Sequence, residues 1–108
     1  MERPLFLEEI GDDGVAHIAL TRPDKHNAFD DALIAELDRA LRGVEDDDAA
    51  RVLVLAANGK SFSAGADLNW MRRMADYSED DNFDDAMRLA DMLQRLDELR
   101  KPTIARVQ

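Results

Sequence analysis

The apolar run Val52-Leu53-Val54-Leu55-Ala56-Ala57 leads through Asn58-Gly59-Lys60 into Ser61-Phe62-Ser63-Ala64-Gly65-Ala66-Asp67-Leu68. The first run predicts a β-strand, and its near-continuous apolar character is typical of a strand covered on both faces. The second is a loop of small residues, where a ligand can approach the backbone and N–H groups can hold a developing negative charge. The same residue types also occur in ordinary strand-to-helix turns, so the loop alone leaves both interpretations open.

The residues before this strand predict a β-hairpin followed by a helix. Two short apolar-rich runs, Leu5–Ile10 and Val15–Leu20, flank a turn-forming Gly-Asp-Asp-Gly segment, which is typical of two antiparallel strands. Asp30 is a candidate helix N-cap. The helix is expected to end near Gly43. Its apolar positions recur at helical spacing: Leu33, Ile34, Leu37, Ala40, Leu41 and Val44.

The residues after the loop predict two more helices and a final strand. Leu68, Met71 and Met74 indicate a short helix. A longer helix is expected from Asp80 to Leu99, with an apolar stripe formed by Ala86, Leu89, Met92, Leu93, Leu96 and Leu99. Pro102 ends that helix, and Thr103–Val107 begins another apolar strand. The order β-β-α-β-α-α-β predicts an α/β fold, and 108 residues allow one domain.

Composition and charge exclude several classes of protein. The chain has no cysteine, which rules out disulfides, thiolate zinc sites and a cysteine nucleophile. Its net charge of −10 disfavours non-specific binding to nucleic acid. The apolar runs fall short of the ~20 residues that span a bilayer, so no membrane partner is expected. The N-terminus lacks a secretory signal, which favours the cytoplasm. His17 and His26 alone do not make a metal site, and none is expected.

Three blocks of sequence occur in order along the chain: Arg22-Pro23-Asp24-Lys25-His26-Asn27-Ala28, then Phe62–Leu68, then Lys101-Pro102-Thr103-Ile104-Ala105-Arg106-Val107. Together they resemble the crotonase, or enoyl-CoA hydratase/isomerase, superfamily over essentially the whole chain. The resemblance implies an acyl-CoA substrate and the N-terminal part of a crotonase-type ββα spiral fold, incomplete at the C-terminus. Residues 1–108 would be a partial core domain whose C-terminal half is absent. The full-length protein would be a homo-oligomer, a trimer or hexamer.

The same resemblance implies roles for residues of the first two blocks. The backbone amide of Ala66 would supply one half of an oxyanion hole for the thioester carbonyl. Ala28 would lie against coenzyme A, with Lys25 near its phosphates. His26 is favoured as a structural or surface residue, with contact to those phosphates as the alternative. The coenzyme A-binding set would also include Ala64, Gly65, Ala66, Asp67, Leu68 and Asn69. Asp67 is favoured as a helix cap over a catalytic acid. Because coenzyme A is part of the substrate, no separate cofactor is expected.

The segment Asn69-Trp70-Met71-Arg72-Arg73-Met74 looks like the branch that includes methylglutaconyl-CoA hydratases. In that branch Arg72 or Arg73 would pair with a substrate carboxylate. Trp70, Met71 and Met74 are instead favoured as packing residues. Arg22, Lys25 and Lys60 add further positive charge near the loops in sequence, so an anion could be bound locally despite the acidic balance of the chain.

The reaction implied by the resemblance is syn addition of water to a 2-enoyl-CoA through a thioester enolate. Hydration needs an acid and a base, and the enolate oxygen needs amide donors. The resemblance implies that two glutamates act as this acid and base. These glutamates and the second amide of the oxyanion hole would lie beyond Gln108. Enoyl-CoA isomerases and acyl-CoA hydrolases share these blocks and stay as alternatives. A further alternative is a non-catalytic truncated fragment that binds coenzyme A or only self-associates through an exposed sheet edge.

Overall fold

A computed structural model of the protein describes residues 6–108 and contains a four-stranded sheet packed against helices. Strand β1 spans Phe6–Ile10, β2 spans Val15–Leu20, β3 spans Val52–Ala57 and β4 spans Thr103–Ala105. The strands lie in the order β1-β2-β3-β4, with β1 antiparallel to β2 and the other neighbouring pairs parallel. The predicted hairpin is therefore present from Phe6 onward, while Leu5 lies outside the described residues.

Helix α1 connects β2 to β3 and spans Asp31–Asp46. Asp30 caps it as predicted, because its carboxylate accepts a hydrogen bond from the Leu33 amide at 2.8 Å. The predicted apolar positions are all buried. The predicted end near Gly43 was wrong. Val44 is fully buried, and burying a valine contributes about 1.5–3 kcal/mol, which exceeds the ~1 kcal/mol cost of a glycine inside a helix.

Two further helices follow β3. Helix α2 spans Leu68–Met74, and helix α3 spans Glu79–Asp97 and packs against α1. Part of the stripe predicted on and after α3 contacts the core: Leu89, Met92, Leu96 and Leu99. Ala86 and Leu93 are exposed instead, because the face by which α3 meets the core is narrower than the predicted stripe. None of the helices in the described part of the chain has the length and apolarity needed to cross a bilayer.

Strand β3 is covered on one face only, which corrects the prediction of burial on both faces. Leu53 and Leu55 are buried, whereas the two valines that alternate with them are half-buried. On the neighbouring strand β2, Ala16 and Ile18 pair in register with these two leucines and join the same core. Side chains alternate between the two faces of a strand, and the core formed by the described residues lies on one face.

The last strand is shorter and more exposed than predicted. The prediction ran from Thr103 to Val107, but β4 ends at Ala105 and all of its residues are exposed. Ile104 and Val107 are both among the large apolar side chains that contact solvent. Strand β4 pairs with β3 along one edge, and within residues 6–108 no element covers its faces.

Candidate functional site

Two loops meet at the carboxyl ends of strands β2 and β3. The first loop is residues 21–29 and the second is residues 58–67. The parallel pairing of β2 with β3 brings both loops to the same edge of the sheet, the edge at which α/β sheets usually bind ligands. Gly59 has a φ of +95° and lies so close to Pro23 that an added Cβ would be 2.7 Å from the proline Cβ. The two loops, which carry the first two sequence blocks, are therefore in direct contact.

Asn27 joins the two loops through its side chain. It is 0% exposed, and its φ of +54° lies in the left-handed region, which asparagine tolerates better than most residues. Its Oδ1 accepts a hydrogen bond from the Arg22 amide at 2.8 Å. Its Nδ2 donates to the carbonyl oxygens of Asn58 and Ser61 at 2.8 and 2.9 Å. The sequence analysis placed Asn27 in the first block but assigned it no role. Its polar side chain within that block was the one sign that it could link two segments.

A short backbone pairing with Phe29 sets the direction of the Ala66 amide. The Phe29 amide donates to the Gly65 carbonyl at 2.6 Å, and the Asp67 amide donates to the Phe29 carbonyl at 2.7 Å. In a parallel bridge, the residue between two such bonded neighbours turns its own N–H and C=O the opposite way. Gly65 has a φ of +92°, which glycine adopts without strain. Ala66 is an exposed residue, and within residues 6–108 its amide N–H has no acceptor, so it can donate to a ligand.

Asp67 is the N-cap of α2, the role that the sequence favoured. One carboxylate oxygen accepts hydrogen bonds from the amides of Asn69 and Trp70 at 2.8 and 3.1 Å. The other lies 3.9 Å from the Lys25 ammonium. The Asp67 side chain is buried, while the Lys25 side chain is 42% exposed. Asp67 therefore holds the start of the helix and leaves a lysine charge at the surface beside the loop.

Arg22 ties the first loop to helix α1. Its guanidinium lies 2.9 Å from the Asp30 carboxylate, and both side chains are largely buried. Burial acts to raise the pKa of Asp30. The hydrogen bonds from the Leu33 amide and from Arg22 outweigh burial and hold that pKa below its usual value. The charge of Arg22 is thus paired with Asp30 in a largely buried position, so Arg22 is not available at the surface to bind a ligand.

The two neighbouring arginines of α2 differ in their partners. Arg73 lies 2.7 Å from the Asp31 carboxylate at the start of α1. Tyr77 and the negative charge of Asp31 raise the pKa of Arg73. Arg72 is exposed and approaches the Asn69 side-chain oxygen at 3.5 Å, and it makes no ion pair within residues 6–108. Of the two predicted carboxylate partners, only Arg72 has a charge that is not already paired in the described part of the chain.

The remaining predicted binding residues fall into two groups. Exposed positions beside the Ala66 amide are Ala64, Gly65, Leu68 and Asn69. Ala28 is only 7% exposed, so it offers little surface to a ligand. His26 is exposed, and its Nδ1 lies 3.3 Å from the Ser61 hydroxyl. The structure therefore brings the predicted loop residues together on one surface, with Ala28 mostly beneath it.

Trp70 packs in the core, as the sequence favoured, but it also makes a polar contact that the sequence did not reveal. It is 4% exposed, and Met74 packs at the edge of the core. The same prediction was wrong for Met71, which is 49% exposed. The indole N–H of Trp70 donates to the buried Asp85 carboxylate at 3.2 Å. Arg88 approaches the same carboxylate at 2.7 Å. This contact fixes α2 against α3. The spacing of Asp85 and Arg88 on one helix could have predicted their ion pair, but no local pattern predicts the contact with Trp70.

Comparison with known proteins agrees with this architecture. The profile of a family described as enoyl-CoA hydratase/isomerase matches residues 11–108. The crystal structure of an enoyl-CoA hydratase from Shewanella pealeana superposes with a TM-score of 0.94 at 44% sequence identity, and the match covers 97% of this chain and 39% of that chain. This likeness confirms the predicted α/β fold of the crotonase type.

Two curated relatives extend the comparison. Trans-2-decenoyl-(acyl-carrier-protein) isomerase of Streptococcus mutans is 34% identical over 97 residues, which cover 86% of this chain and 36% of the isomerase. The mitochondrial enoyl-CoA hydratase of Pongo abelii is 36% identical over 95 residues, which cover 86% of this chain and 30% of that enzyme. The chain thus spans about a third of the length of these relatives. Its sequence and its fold both show that this chain belongs to the enoyl-CoA hydratase/isomerase family.

Proposed function

We propose that this chain forms the thioester-binding part of a 2-enoyl-CoA hydratase. The observation that carries the proposal is the Ala66 amide, which is turned away from Phe29 by the pairing of its neighbours and has no acceptor within residues 6–108. A thioester carbonyl placed there would accept the Ala66 N–H. During syn addition of water, negative charge grows on the carbonyl oxygen, and a fixed amide dipole stabilises it without reorganising. In other enzymes one such donor contributes roughly 3–4 kcal/mol to transition-state stabilisation.

The rest of the substrate would follow the exposed surface beside the loop. Ala64 and Gly65 have small side chains, so pantetheine can lie against the backbone. Leu68 is 68% exposed and offers apolar contact area at the start of α2. Lys25 would reach the coenzyme A phosphates, because its side chain is partly exposed and its ion pair with Asp67 is long. In this proposal coenzyme A is part of the substrate, and the protein uses no separate cofactor.

Isomerisation of the double bond is the second candidate, because the Streptococcus mutans relative is named an isomerase. Both reactions would place an enolate oxygen at the same amide. The two reactions differ in whether the conjugated double bond of the enoyl thioester is lost or formed. Hydration of crotonyl-CoA removes its absorbance, whereas isomerisation of a 3-enoyl-CoA creates that absorbance. Measuring absorbance with each substrate, on a protein that also contains the segment expected to carry the acid and base, separates the two reactions.

The proposal predicts a specific response of the Ala66 amide in NMR spectra of the ¹⁵N-labelled protein. Butyryl-CoA is a saturated thioester that cannot be hydrated, and it is expected to move the Ala66 amide proton downfield. S-butyl-CoA, in which a methylene replaces the carbonyl, is expected to bind without that shift. The Asp67 amide already donates to Phe29 and serves as the internal control. Equal shifts of Ala66 with the two ligands would refute its assignment as the carbonyl donor.

We further propose that the acyl group carries a free carboxylate, as in 3-methylglutaconyl-CoA, and that Arg72 contacts it. Arg72 follows Leu68 by four residues, so the two side chains lie on the same face of α2, and both are exposed. The charge of Arg73 is already paired with Asp31. Support for this substrate is therefore the position of one unpaired arginine beside the candidate thioester site.

Arg72→Gln is expected to weaken binding of 3-methylglutaconyl-CoA about two- to fivefold relative to 3-methylcrotonyl-CoA, which lacks the free carboxylate. The size follows from exposed ion pairs, which contribute up to about 1 kcal/mol. Isothermal titration calorimetry with both ligands gives the ratio of dissociation constants. Arg73→Gln is the matched control and should leave the ratio unchanged. The assignment fails if Arg72→Gln weakens both ligands equally, or if the control changes the ratio as much.

A further inference from the structure

We infer that Asn27 is the positioning residue of the oxyanion amide: its side chain fixes residues 58–67 against residues 21–29 and thereby sets the direction of the Ala66 N–H. This inference rests on the proposed contact between Ala66 and the thioester carbonyl. Asn27 itself is fully buried and does not touch the substrate. It would act only through the backbone of the loop.

Asn27 holds the first part of the second loop at two points. The carbonyl oxygens of Asn58 and Ser61 both accept from its Nδ2, at 2.8 and 2.9 Å. The Arg22 amide donates to its Oδ1 at 2.8 Å and anchors the Asn27 side chain to its own loop. The side-chain amide therefore uses both of its donors and its acceptor. As a result, the chain between β3 and the small-residue segment has a fixed path.

A second chain of hydrogen bonds continues from Asn27 to the residue before Ala66. The Ser63 hydroxyl donates to the Asn27 carbonyl at 3.0 Å, and the Gly65 amide approaches the same hydroxyl at 3.2 Å. The Gly65 carbonyl in turn accepts from Phe29, two residues after Asn27. The peptide between Gly65 and Ala66 is thus held by backbone groups of Asn27 and Phe29. The Asn27 side chain contributes by fixing the position of residues 58–61 relative to these groups.

The chemistry of the position explains why an asparagine stands there. A buried group must supply one acceptor and two donors, which the primary amide does. An aspartate of the same shape would turn a negative oxygen toward two carbonyl oxygens and would leave both carbonyls unsatisfied. The positive φ also disfavours most other side chains. Glycine would accept the backbone conformation but would remove all three side-chain bonds.

The test compares the affinities of butyryl-CoA and S-butyl-CoA, measured by calorimetry on the whole chain. In the unsubstituted protein the thioester is expected to bind roughly fivefold tighter, the effect of one neutral hydrogen bond. In Asn27→Asp and Asn27→Gly that ratio is expected to fall toward one, with the affinity for S-butyl-CoA changed less than about twofold. Asn82→Asp is the matched control. It makes the same chemical change at an exposed position of α3, outside both loops, so the ratio should stay the same.

The outcomes distinguish failure of the role of Asn27 from failure of the proposed contact between Ala66 and the thioester carbonyl. If the unsubstituted protein does not distinguish the two ligands, the Ala66 contact itself is wrong. If it does, and both Asn27 variants keep the ratio, Asn27 does not position the amide. Equal loss of affinity for both ligands, or loss of the folded NMR spectrum in both variants, also overturns the inference. In those cases Asn27 supports the whole fold and not the direction of one amide.

Discussion

Replacing Trp70 with alanine is expected to lower the free energy of unfolding by about 4 kcal/mol, since aromatic-to-alanine changes in cores cost about 3–5 kcal/mol. Trp70 is a buried member of the hydrophobic core. Its indole also donates to Asp85 across the contact between α2 and α3. The substitution would therefore leave a cavity and remove one hydrogen bond from a buried carboxylate. A loss of this size is a large part of the 5–15 kcal/mol that stabilises a typical domain.

Urea unfolding followed by circular dichroism measures this loss, with two variants to separate its causes. Trp70→Phe keeps most of the apolar volume and removes the N–H donor, so it should cost about 1–3 kcal/mol. Met71→Ala changes the neighbouring side chain, which is half-exposed, and should cost less than about 1 kcal/mol. An effect of Met71→Ala equal to that of Trp70→Ala would show that Trp70 does not anchor α2.

Replacing Leu37 with alanine is expected to lower the free energy of unfolding by about 3 kcal/mol. Leu37 is fully buried on the inner face of α1 and belongs to the core that also contains Ile18 and Leu53 of the sheet. Leucine-to-alanine changes in such positions cost about 2–5 kcal/mol, because they remove apolar contacts and leave a cavity.

The matched control for Leu37→Ala is Leu93→Ala, the same chemical change on the exposed side of α3. It should alter the free energy of unfolding by less than about 1 kcal/mol. Both values come from denaturant unfolding at one temperature. Similar losses in the two variants would contradict the placement of Leu37 in the core and of Leu93 at the surface.

Helix α1 illustrates how much of the fold could be predicted from sequence. Its N-cap at Asp30 and its buried face depend on residues close together in the chain, so local patterns were enough to predict them. Its end was mispredicted at Gly43, because the preference of glycine to end a helix is a local signal. The burial of Val44 against the core depends on tertiary packing and is stronger.

Strand β3 and helix α3 show where local patterns were insufficient. A run such as Val52–Ala57 is typical of a strand buried on both faces, but burial depends on what packs against each face. The described residues cover only the face with Leu53 and Leu55. The apolar stripe predicted for α3 was also too broad, because burial on a helix likewise depends on what packs against each side. Leu93 carries the same apolar signal as Met92, yet only Met92 faces α1 and the sheet.

The sequence by itself determined the order of strands and helices, the capping role of Asp67 and, by resemblance, the family and the candidate amide of Ala66. These follow from local spacing and from blocks of residues that can be read along the chain. Only the tertiary structure showed that Asn27 bridges to Asn58 and Ser61, that Phe29 turns the Ala66 amide outward, and that Trp70 meets Asp85. Most of these contacts join residues far apart in the chain. The first two form because the parallel pairing of β2 and β3 places both loops at one edge of the sheet, and the third joins helix α2 to helix α3. No local pattern specifies which distant segments of the chain will meet.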